Sequence, residues 1–387
     1  MERFKASLGL IFTVVVYMIA GAECGRQAVR LGLPNIAVTN TEIDLALTVF
    51  ILLLVLYAAI FFHIIIHEGG HYICGKISGY KLSSFRIGSL MFIKKNNKTE
   101  LKRYKLVGTG GQCLMIPPSC RDSCYSFPYA LYNLGGIIAN IFFSTIAIML
   151  YVLLESRGIV PVFLCTFAII GFTVAILNGV PMKIGGVAND GYNVLSLGKD
   201  AEARRALWLQ LAINGRMTEG QRLKDMPQEW FELPEDADMS NPLVCACAVF
   251  KGNRCHDQLD FKSAQELYKK LLEDTAGMLE IYKNEVRCEL MFYEIIGQSR
   301  KDEIDRLYTK KLRKYIKATS SYISRQRLMY ACELLINKNQ QEADKRLKAF
   351  EKACSKYPYS AEIESEREII AYIQQKAEEQ IEVKSEN

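Results

Sequence analysis

Four long apolar runs dominate the first half of the 387-residue chain. They cover residues 4–22, 43–66, 131–154 and 159–178. Each run approaches the roughly 20 helical residues that are needed to cross the hydrocarbon core of a bilayer. The pattern therefore predicts an α-helical membrane protein with four transmembrane helices.

The pattern changes at about residue 199, where short amphipathic segments replace the long apolar runs. Residues 225–242 contain three prolines among several acids, which is typical of an irregular linker. The spacing of alanine with aromatic or leucine residues around Ala264 and Ala343 is similar to tetratricopeptide-like helical repeats, although no regular period is present. We predict a C-terminal cytosolic α-helical domain with helices near 200–213, 243–251, 260–274, 277–297, 301–317, 320–337, 340–356 and 360–381.

Charge is divided between the same two halves. Residues 1–200 carry 17 basic and 10 acidic side chains, whereas residues 201–387 carry 31 and 32. This split excludes a single globular core, a secreted disulfide scaffold and a disordered chain. The nearly neutral second half lacks the concentrated basic face of a nucleic-acid-binding surface, so no nucleic acid is expected as a partner.

Basic residues in the loops predict the orientation in the membrane. Residues 76–130 contain ten Lys or Arg and only two acids, so this loop is expected in the cytosol. An even number of spans then places both termini in the cytosol. We expect a multi-pass protein in contact with the lipid bilayer, in the cytoplasmic membrane of a bacterium.

Most of the 12 cysteines would lie on the cytosolic side, where thiols stay reduced. Cys120 and Cys124 form only a weak metal-binding pattern.

The second apolar run ends in an H-E-x-x-H pattern, which is His67-Glu68-Gly69-Gly70-His71. Residues four apart lie on one face of a helix, so the two imidazoles can bind one metal ion. Glu68 is then placed to take a proton from a water molecule at the metal. The glycines either allow a substrate backbone to approach or allow close helix packing, and the sequence leaves both open.

A hydrolytic zinc site needs a third protein ligand and one open position. Asp190 follows the fourth run and reaches the same membrane depth as the two histidines. The Asn189-Asp190-Gly191 segment also fits an ordinary turn. His63, one turn deeper on the histidine face, is a competing ligand, but three ligands from one straight helix give poor tetrahedral geometry. We rank Asp190 first.

With these residues the chain resembles the site-2 protease family of intramembrane zinc metalloproteases. The resemblance rests on His67–His71, on Gly135-Gly136-x-x-x-Asn140, which is similar to a Gly-Pro-x-x-Asn element, and on Asn178-x-x-Pro181 followed by Asp190-Gly191. It covers roughly residues 45–195 and implies a site-2-protease-like three-helix core.

The resemblance implies one Zn²⁺ per chain on His67, His71 and Asp190, with Glu68 as the general base. It places Asn140 near the site, as a hydrogen-bond donor to the developing oxyanion. Gly136 replaces the usual proline.

The loop between the second and third runs is predicted to contain a β-hairpin at the membrane surface. Apolar and polar residues alternate in places over residues 81–107, and a turn is expected near Asn96-Asn97. The following Gly-rich run, residues 106–118, is expected to return towards the active site. An exposed hairpin edge could pair with an unwound substrate, or the loop could only shield the site.

These observations predict three regions. Residues 1–42 form the first transmembrane helix and an external loop, residues 43–198 the intramembrane metalloprotease core with cytosolic loop 76–130, and residues 199–387 the soluble domain. The expected function is cleavage of transmembrane or membrane-inserted peptides near the cytosolic leaflet, with a possible protein partner on the helical domain. A catalytically inactive membrane scaffold and a metal transporter or sensor are the alternatives.

Overall fold

A computed structural model describes most of the chain and divides it into two compact units. Cys120 and Cys124 lie outside the described residues. One unit consists of Met1–Gly88 and Val107–Arg204, and the other of Ser89–Leu106 and Arg205–Asn387. The described residues are 2–31, 42–96, 98–104, 109–119, 126–154, 158–184, 187–273 and 278–385.

Four helices of the first unit match the four apolar runs, which confirms that prediction. Among the described residues, four helices are long and apolar enough to cross a membrane. Many of their large apolar side chains point outward, such as Tyr57, Phe142 and Leu153, which is 77% exposed. Such a surface is what lipid would cover. The helices are α1 (Glu2–Arg30), α2 (Glu42–Ile77), α3 (Tyr129–Leu154) and α4 (Ile159–Gly179).

Glycines bring α2 and α3 into backbone contact. A Cβ atom on Gly70 would lie 2.2 Å from the carbonyl oxygen of Gly135, and one on Gly135 would lie 2.4 Å from that of Gly70. Small residues allow this approach where helices pack without a hydrophobic driving force. The crossing lies between His67 and His71 on α2, so it fixes the histidines against α3.

A short turn region follows α4 and carries Asp190. It contains a two-stranded pair, β5 (Lys183–Ile184) and β6 (Val187–Ala188), and the helix α5 (Asp190–Lys199). A Cβ atom on Gly191 would lie 2.0 Å from the carbonyl oxygen of Gly179, so the start of α5 touches the end of α4. Glycine is required there because any Cβ atom would collide with this carbonyl group.

The predicted hairpin is present and has its turn where expected. Strands β2 (Leu90–Lys95) and β3 (Lys98–Arg103) pair antiparallel in the second unit, and Asn96 in the turn has φ 46°. In the first unit, β1 (Lys81–Ile87) pairs antiparallel with β4 (Gly111–Ile116). Whether a hairpin edge pairs with substrate, or only shields the site, stays a prediction.

The base of the hairpin is closed within the first unit. The Gly88 N–H donates to the Gly110 carbonyl at 2.8 Å. The Arg86 guanidinium, 1% exposed, donates to the Gly88 carbonyl at 2.7 Å and also contacts Thr109. The two chain segments that lead into the hairpin are therefore held side by side.

The hairpin packs on the helical tail, with which it shares the second unit. Lys95 Nζ donates a hydrogen bond to Ser360 Oγ at 2.9 Å. The Tyr104 ring lies edge-on to Tyr357, with 5.4 Å between the ring centroids, and stacks on Tyr322 at 6.2 Å. The tail therefore holds residues from the loop between α2 and α3.

The tail is helical, and its predicted helices are confirmed with two corrections. The helix expected over residues 301–317 is two helices, because the Thr309 side chain accepts the Leu312 N–H and begins a new one. The helix expected over 200–213 was to end at Asn214-Gly215, but it continues to Glu219 and ends before Gly220, where φ is 96°. The Asn214 side chain donates to the Gln210 carbonyl at 2.7 Å instead of ending the helix. The helices are α6 (Ala201–Glu219), α7 (Pro242–Asp257), α8 (Phe261–Glu273), α9 (Glu280–Ile296), α10 (Lys301–Leu307), α11 (Lys310–Ala318), α12 (Ile323–Ala331), α13 (Gln340–Cys354) and α14 (Ser360–Ser385).

The core of the tail is apolar but encloses paired charges. Ala264 and Ala343 are fully buried in it, as their spacing predicted, while the likeness to tetratricopeptide repeats stays a prediction. Arg327, 1% exposed, donates to Glu289 at 2.7 Å and to Glu366 at 2.6 Å. A cavity of about 260 Å³ lies beside these acids.

Candidate metal centre

Three of the predicted site residues meet at one point. Nε2 of His67 lies 3.1 Å from Nε2 of His71, and Oδ2 of Asp190 lies 3.2 Å and 3.5 Å from these two atoms. Within the described part of the chain, this is the group of His, Cys, Asp or Glu side chains placed to share a metal ion. The sequence prediction of these three residues and the structure therefore agree.

The geometry of the three atoms fits a tetrahedral metal. A zinc ion with nitrogen and oxygen ligands at about 2.0–2.1 Å would separate neighbouring ligand atoms by roughly 3.3–3.4 Å. The observed separations are 3.1, 3.2 and 3.5 Å. Asp190 Oδ2 is buried and makes no hydrogen bond to any described residue. Two imidazole nitrogens and a carboxylate oxygen that converge in this way suit a shared cation.

His71 is oriented by a backbone carbonyl of α3. Its Nδ1 lies 2.8 Å from the Tyr132 carbonyl oxygen, which can only accept a hydrogen bond. The proton of the neutral ring is therefore on Nδ1, and the Nε2 lone pair faces the other two ligands. Tyr132 is itself held by its hydroxyl, which donates to the Cys113 carbonyl at 2.8 Å.

His67 is oriented by the side chain of Asn140. The Asn140 amide is fully buried; its Nδ2 lies 3.1 Å from His67 Nδ1 and its Oδ1 lies 3.1 Å from His63 Nδ1. Nε2 of His63 lies 2.8 Å from the Phe167 carbonyl oxygen. Both His63 nitrogens therefore have partners away from the point where His67, His71 and Asp190 meet. Asn140 lies next to a ligand, as the resemblance implied.

Two glycines make room for these rings. A Cβ atom on Gly136 would lie 2.4 Å from Cε1 of His67, and one on Gly171 would lie 2.2 Å from Cε1 of His63. The glycine that departs from the family pattern at position 136 is thus required by the His67 ring. The sequence showed these glycines, but not which rings they face.

Asp190 is delivered by its neighbour Asn189, which the sequence analysis treated as part of a turn. Asn189 Oδ1 accepts hydrogen bonds from the N–H groups of Tyr192 at 2.9 Å and Met182 at 3.1 Å. Its Nδ2 donates to the Leu177 carbonyl at 2.7 Å.

Burial raises the pKa of Asp190, but the two imidazoles that face it outweigh burial and hold the pKa below its ordinary value. Asp190 is therefore ionised, as a metal ligand must be.

Glu68 lies beside strand β4. A Cβ atom on Gly111 would lie 2.7 Å from Oε1 of Glu68, so the strand passes directly over this carboxyl group. Glu68 also interacts electrostatically with His67, His71 and Asp190. The Gly-rich run thus passes beside the H-E-x-x-H motif at Gly111.

The two glycines of the motif have different surroundings. A Cβ atom on Gly70 would collide with α3, whereas one on Gly69 would have no neighbour within 4 Å. Of the two explanations that the sequence left open, close helix packing therefore applies to Gly70. The space beside Gly69 is open.

A family model described as Peptidase family M50 matches residues 55–377. The chain belongs to this family, the site-2 protease family. The match includes α2 with its motif, Asp190 and most of the helical tail. Membership in this family and four apolar helices identify a peptidase-family protein that is integral to the membrane. Comparison with curated proteins and with solved structures gives no match.

Proposed function

We propose that this M50 family member is an intramembrane zinc endopeptidase. The observation that carries the proposal is the convergence of His67, His71 and Asp190 at the end of a membrane-spanning helix. Ionisable groups at membrane depth are costly and are usually functional. One zinc ion per chain would be held by these three side chains, with one position left open.

A bound zinc ion would polarise the scissile carbonyl group and lower the pKa of water. Glu68 then takes a proton from the attacking water and gives it to the nitrogen of the leaving amine. Water adds its oxygen to the carbonyl carbon and the C–N bond breaks, which gives one carboxyl and one amine terminus. The open space beside Gly69 gives the substrate backbone room to approach.

The substrate that fits this site is a transmembrane or membrane-inserted peptide. Its helix must unwind locally for the peptide bond to reach the metal, and the cut would fall near the cytosolic leaflet. The basic loop between α2 and α3 supports a cytosolic position for this end of the site and for both termini. We place the protein in a bacterial cytoplasmic membrane, with a possible protein partner on the helical tail.

The test replaces Glu68 by Gln in the full-length chain. This change keeps all three ligands but removes the base. We expect normal zinc content in the purified protein, measured by elemental analysis. We also expect at least one longer membrane peptide to accumulate in cells, seen by comparing the lengths of all membrane peptides. Glu100→Gln, in the exposed strand β3, is the matched control and should resemble the wild type.

Three results would contradict the proposal. Purified wild-type protein that contains no zinc would contradict the proposed metal site. Retained zinc without any change in peptide length would favour an inactive scaffold. A change in metal flux across vesicles that contain the variant would favour a transporter.

A further inference from the structure

We infer that His63 and Asn140 form a relay that fixes the tautomer of His67 and so keeps its Nε2 free for the metal. The inference rests on the proposed metal site and adds two positioning residues to it. His71 is fixed directly by a carbonyl of α3, at Tyr132. Nδ1 of His67 faces the Asn140 amide instead, and two buried side chains connect it to a carbonyl on α4.

The relay begins at the Phe167 carbonyl. This oxygen can only accept a hydrogen bond, and His63 Nε2 lies 2.8 Å from it. If His63 Nε2 carried no proton, two lone pairs would face each other at this distance. The proton of the neutral His63 ring is therefore on Nε2, and Nδ1 is an acceptor.

The state of His63 selects the orientation of the Asn140 amide. In the structure Oδ1 of Asn140 faces His63 Nδ1 and Nδ2 faces His67 Nδ1, but the two ends of an amide have nearly the same shape, so separations of 3.1 Å at both ends fit the opposite orientation equally well. Because His63 Nδ1 accepts, the amide must be turned over, so that Nδ2 of Asn140 faces His63 as the donor. The Oδ1 atom then faces His67 and can only accept.

The same rule sets the state of His67. Its Nδ1 must donate to Oδ1 of Asn140, so the proton of the neutral ring is on Nδ1 and Nε2 carries a lone pair. That lone pair points towards His71 Nε2 and Asp190 Oδ2. With Nδ2 left facing His67, the neutral His67 ring would carry its proton on Nε2, where it would block the metal. Three hydrogen bonds thus connect the Phe167 carbonyl to the metal position.

The site is built around this relay. His63 and Asn140 are both fully buried, at 0% exposure. Gly136 and Gly171 leave the space that the His67 and His63 rings occupy. The relay gives Asn140 the role of a positioning residue, because both ends of its amide are engaged by imidazoles. It also explains a histidine that metal ligation leaves unused.

The experiment uses the full-length protein in detergent, labelled with ¹⁵N in the imidazole rings. The chain has four histidines, which keeps the spectrum simple. His63→Leu removes the link between Phe167 and Asn140, and His63→Gln supplies one donor and one acceptor in its place. Ser144→Ala is the matched control, since its buried hydroxyl also lies against Gly171 but has no hydrogen-bond partner among the described residues.

With zinc bound, we expect the wild type and Ser144→Ala to show His67 with its proton on Nδ1 and His63 with its proton on Nε2. His63→Leu should bind zinc about 10–100-fold more weakly in competition with a chelator, the usual cost of losing an outer partner of a metal ligand. His63→Gln should recover zinc affinity at least in part. The relay is overturned if His63 carries its proton on Nδ1, if His63→Leu keeps the wild-type zinc affinity, or if Ser144→Ala weakens zinc binding as much as His63→Leu. Failure of the wild type to bind zinc would instead contradict the proposed function, because the proton position on His63 can also be read without metal.

Discussion

Oδ2 of Asp190 lies 3.2 Å from Nε2 of His67, although the two residues belong to elements at opposite ends of the membrane core sequence. The contact depends on two separate close approaches. Gly70 and Gly135 bring α2 against α3, and Gly191 brings the start of α5 against Gly179. The metal centre is therefore a product of helix packing, and changes in packing should affect metal affinity.

Replacing Asp190 by Asn should abolish tight zinc binding. The amide keeps the shape of the side chain but loses the negative charge and is a poor zinc ligand. We expect a loss greater than the about 10–100-fold typical of outer partners of a ligand, measured by chelator competition. Asp236→Asn, at an exposed site in the tail, should bind zinc like the wild type. Unchanged zinc affinity in Asp190→Asn would show that another residue supplies the third ligand.

The two glycines of the motif should respond differently to alanine. Gly70→Ala places a methyl group 2.2 Å from the Gly135 carbonyl oxygen, so we expect a loss of stability of at least about 1–3 kcal/mol. Gly69→Ala meets nothing within 4 Å and should stabilise α2 by up to about 1 kcal/mol. Thermal unfolding in detergent measures both. Equal effects of the two alanines on stability would contradict the packing of Gly70 against α3. Reduced cleavage by a stable Gly69→Ala protein would further indicate that substrate occupies the space beside Gly69.

Asn189→Ala should weaken zinc binding through the position of Asp190. The change removes the N-terminal cap of α5, which costs about 1 kcal/mol, and releases α5 from the Leu177 carbonyl. The matched control is Asn339→Ala, which removes the asparagine cap of α13 in the tail. Both variants should lose similar stability, but only Asn189→Ala should lose zinc affinity. Equal zinc affinities would show that Asp190 needs no such support.

The contribution of Glu362 to the stability of the tail should fall as the pH rises from about 4.5 to 7. Burial raises the pKa of Glu362, in the cavity wall, from 4.5 to about 7. Between these values Glu362 holds more protons in the folded state than in the unfolded chain, so its contribution to the free energy of unfolding decreases with pH. His256, whose pKa burial lowers from 6.5 to about 4, acts in the opposite direction. Glu362→Gln should therefore make the stability rise more steeply with pH and should stabilise the tail at pH 8 by at most about 3 kcal/mol.

Tryptophan fluorescence can follow this effect in the tail alone. The two tryptophans of the chain, Trp208 and Trp230, both belong to the second unit, and their ring centroids lie 5.4 Å apart. Urea titrations at pH 5 and pH 8 would compare the wild type with Glu362→Gln and with the exposed control Glu364→Gln. The same pH dependence in all three proteins would show that Glu362 is not responsible.

The sequence was sufficient for the parts of the structure that depend on local spacing. The length of the apolar runs predicts the four membrane-spanning helices, and a separation of four residues places His67 and His71 on one face of a helix. Matching the depth of Asp190 to that face was enough to place it beside the two histidines. Alternation and an Asn-Asn pair predicted the hairpin and its turn.

Other features depend on which faces of the helices meet, and spacing alone does not contain that information. The partners of His63 and Asn140 follow from the packing of α2, α3 and α4. Asn189 was assigned to a turn, because an Asn-Asp-Gly segment does not reveal that its side chain holds two helices together. Asn214-Gly215 was taken for a helix end because both residues favour turns, but packing of the tail and the hydrogen bond to Gln210 carry the helix onward.

The closed base of the hairpin has a practical consequence for the design of a shorter chain that keeps the candidate metal centre. Ending the chain after Arg204 would remove the tail against which residues 89–106 pack. Tyr104 and Lys95 would then lose their contacts with it. The cleaner deletion removes the hairpin together with the tail. Gly88 and Gly110 are already joined by a hydrogen bond, so a short peptide link between these positions would leave β1 and β4 in register over Glu68.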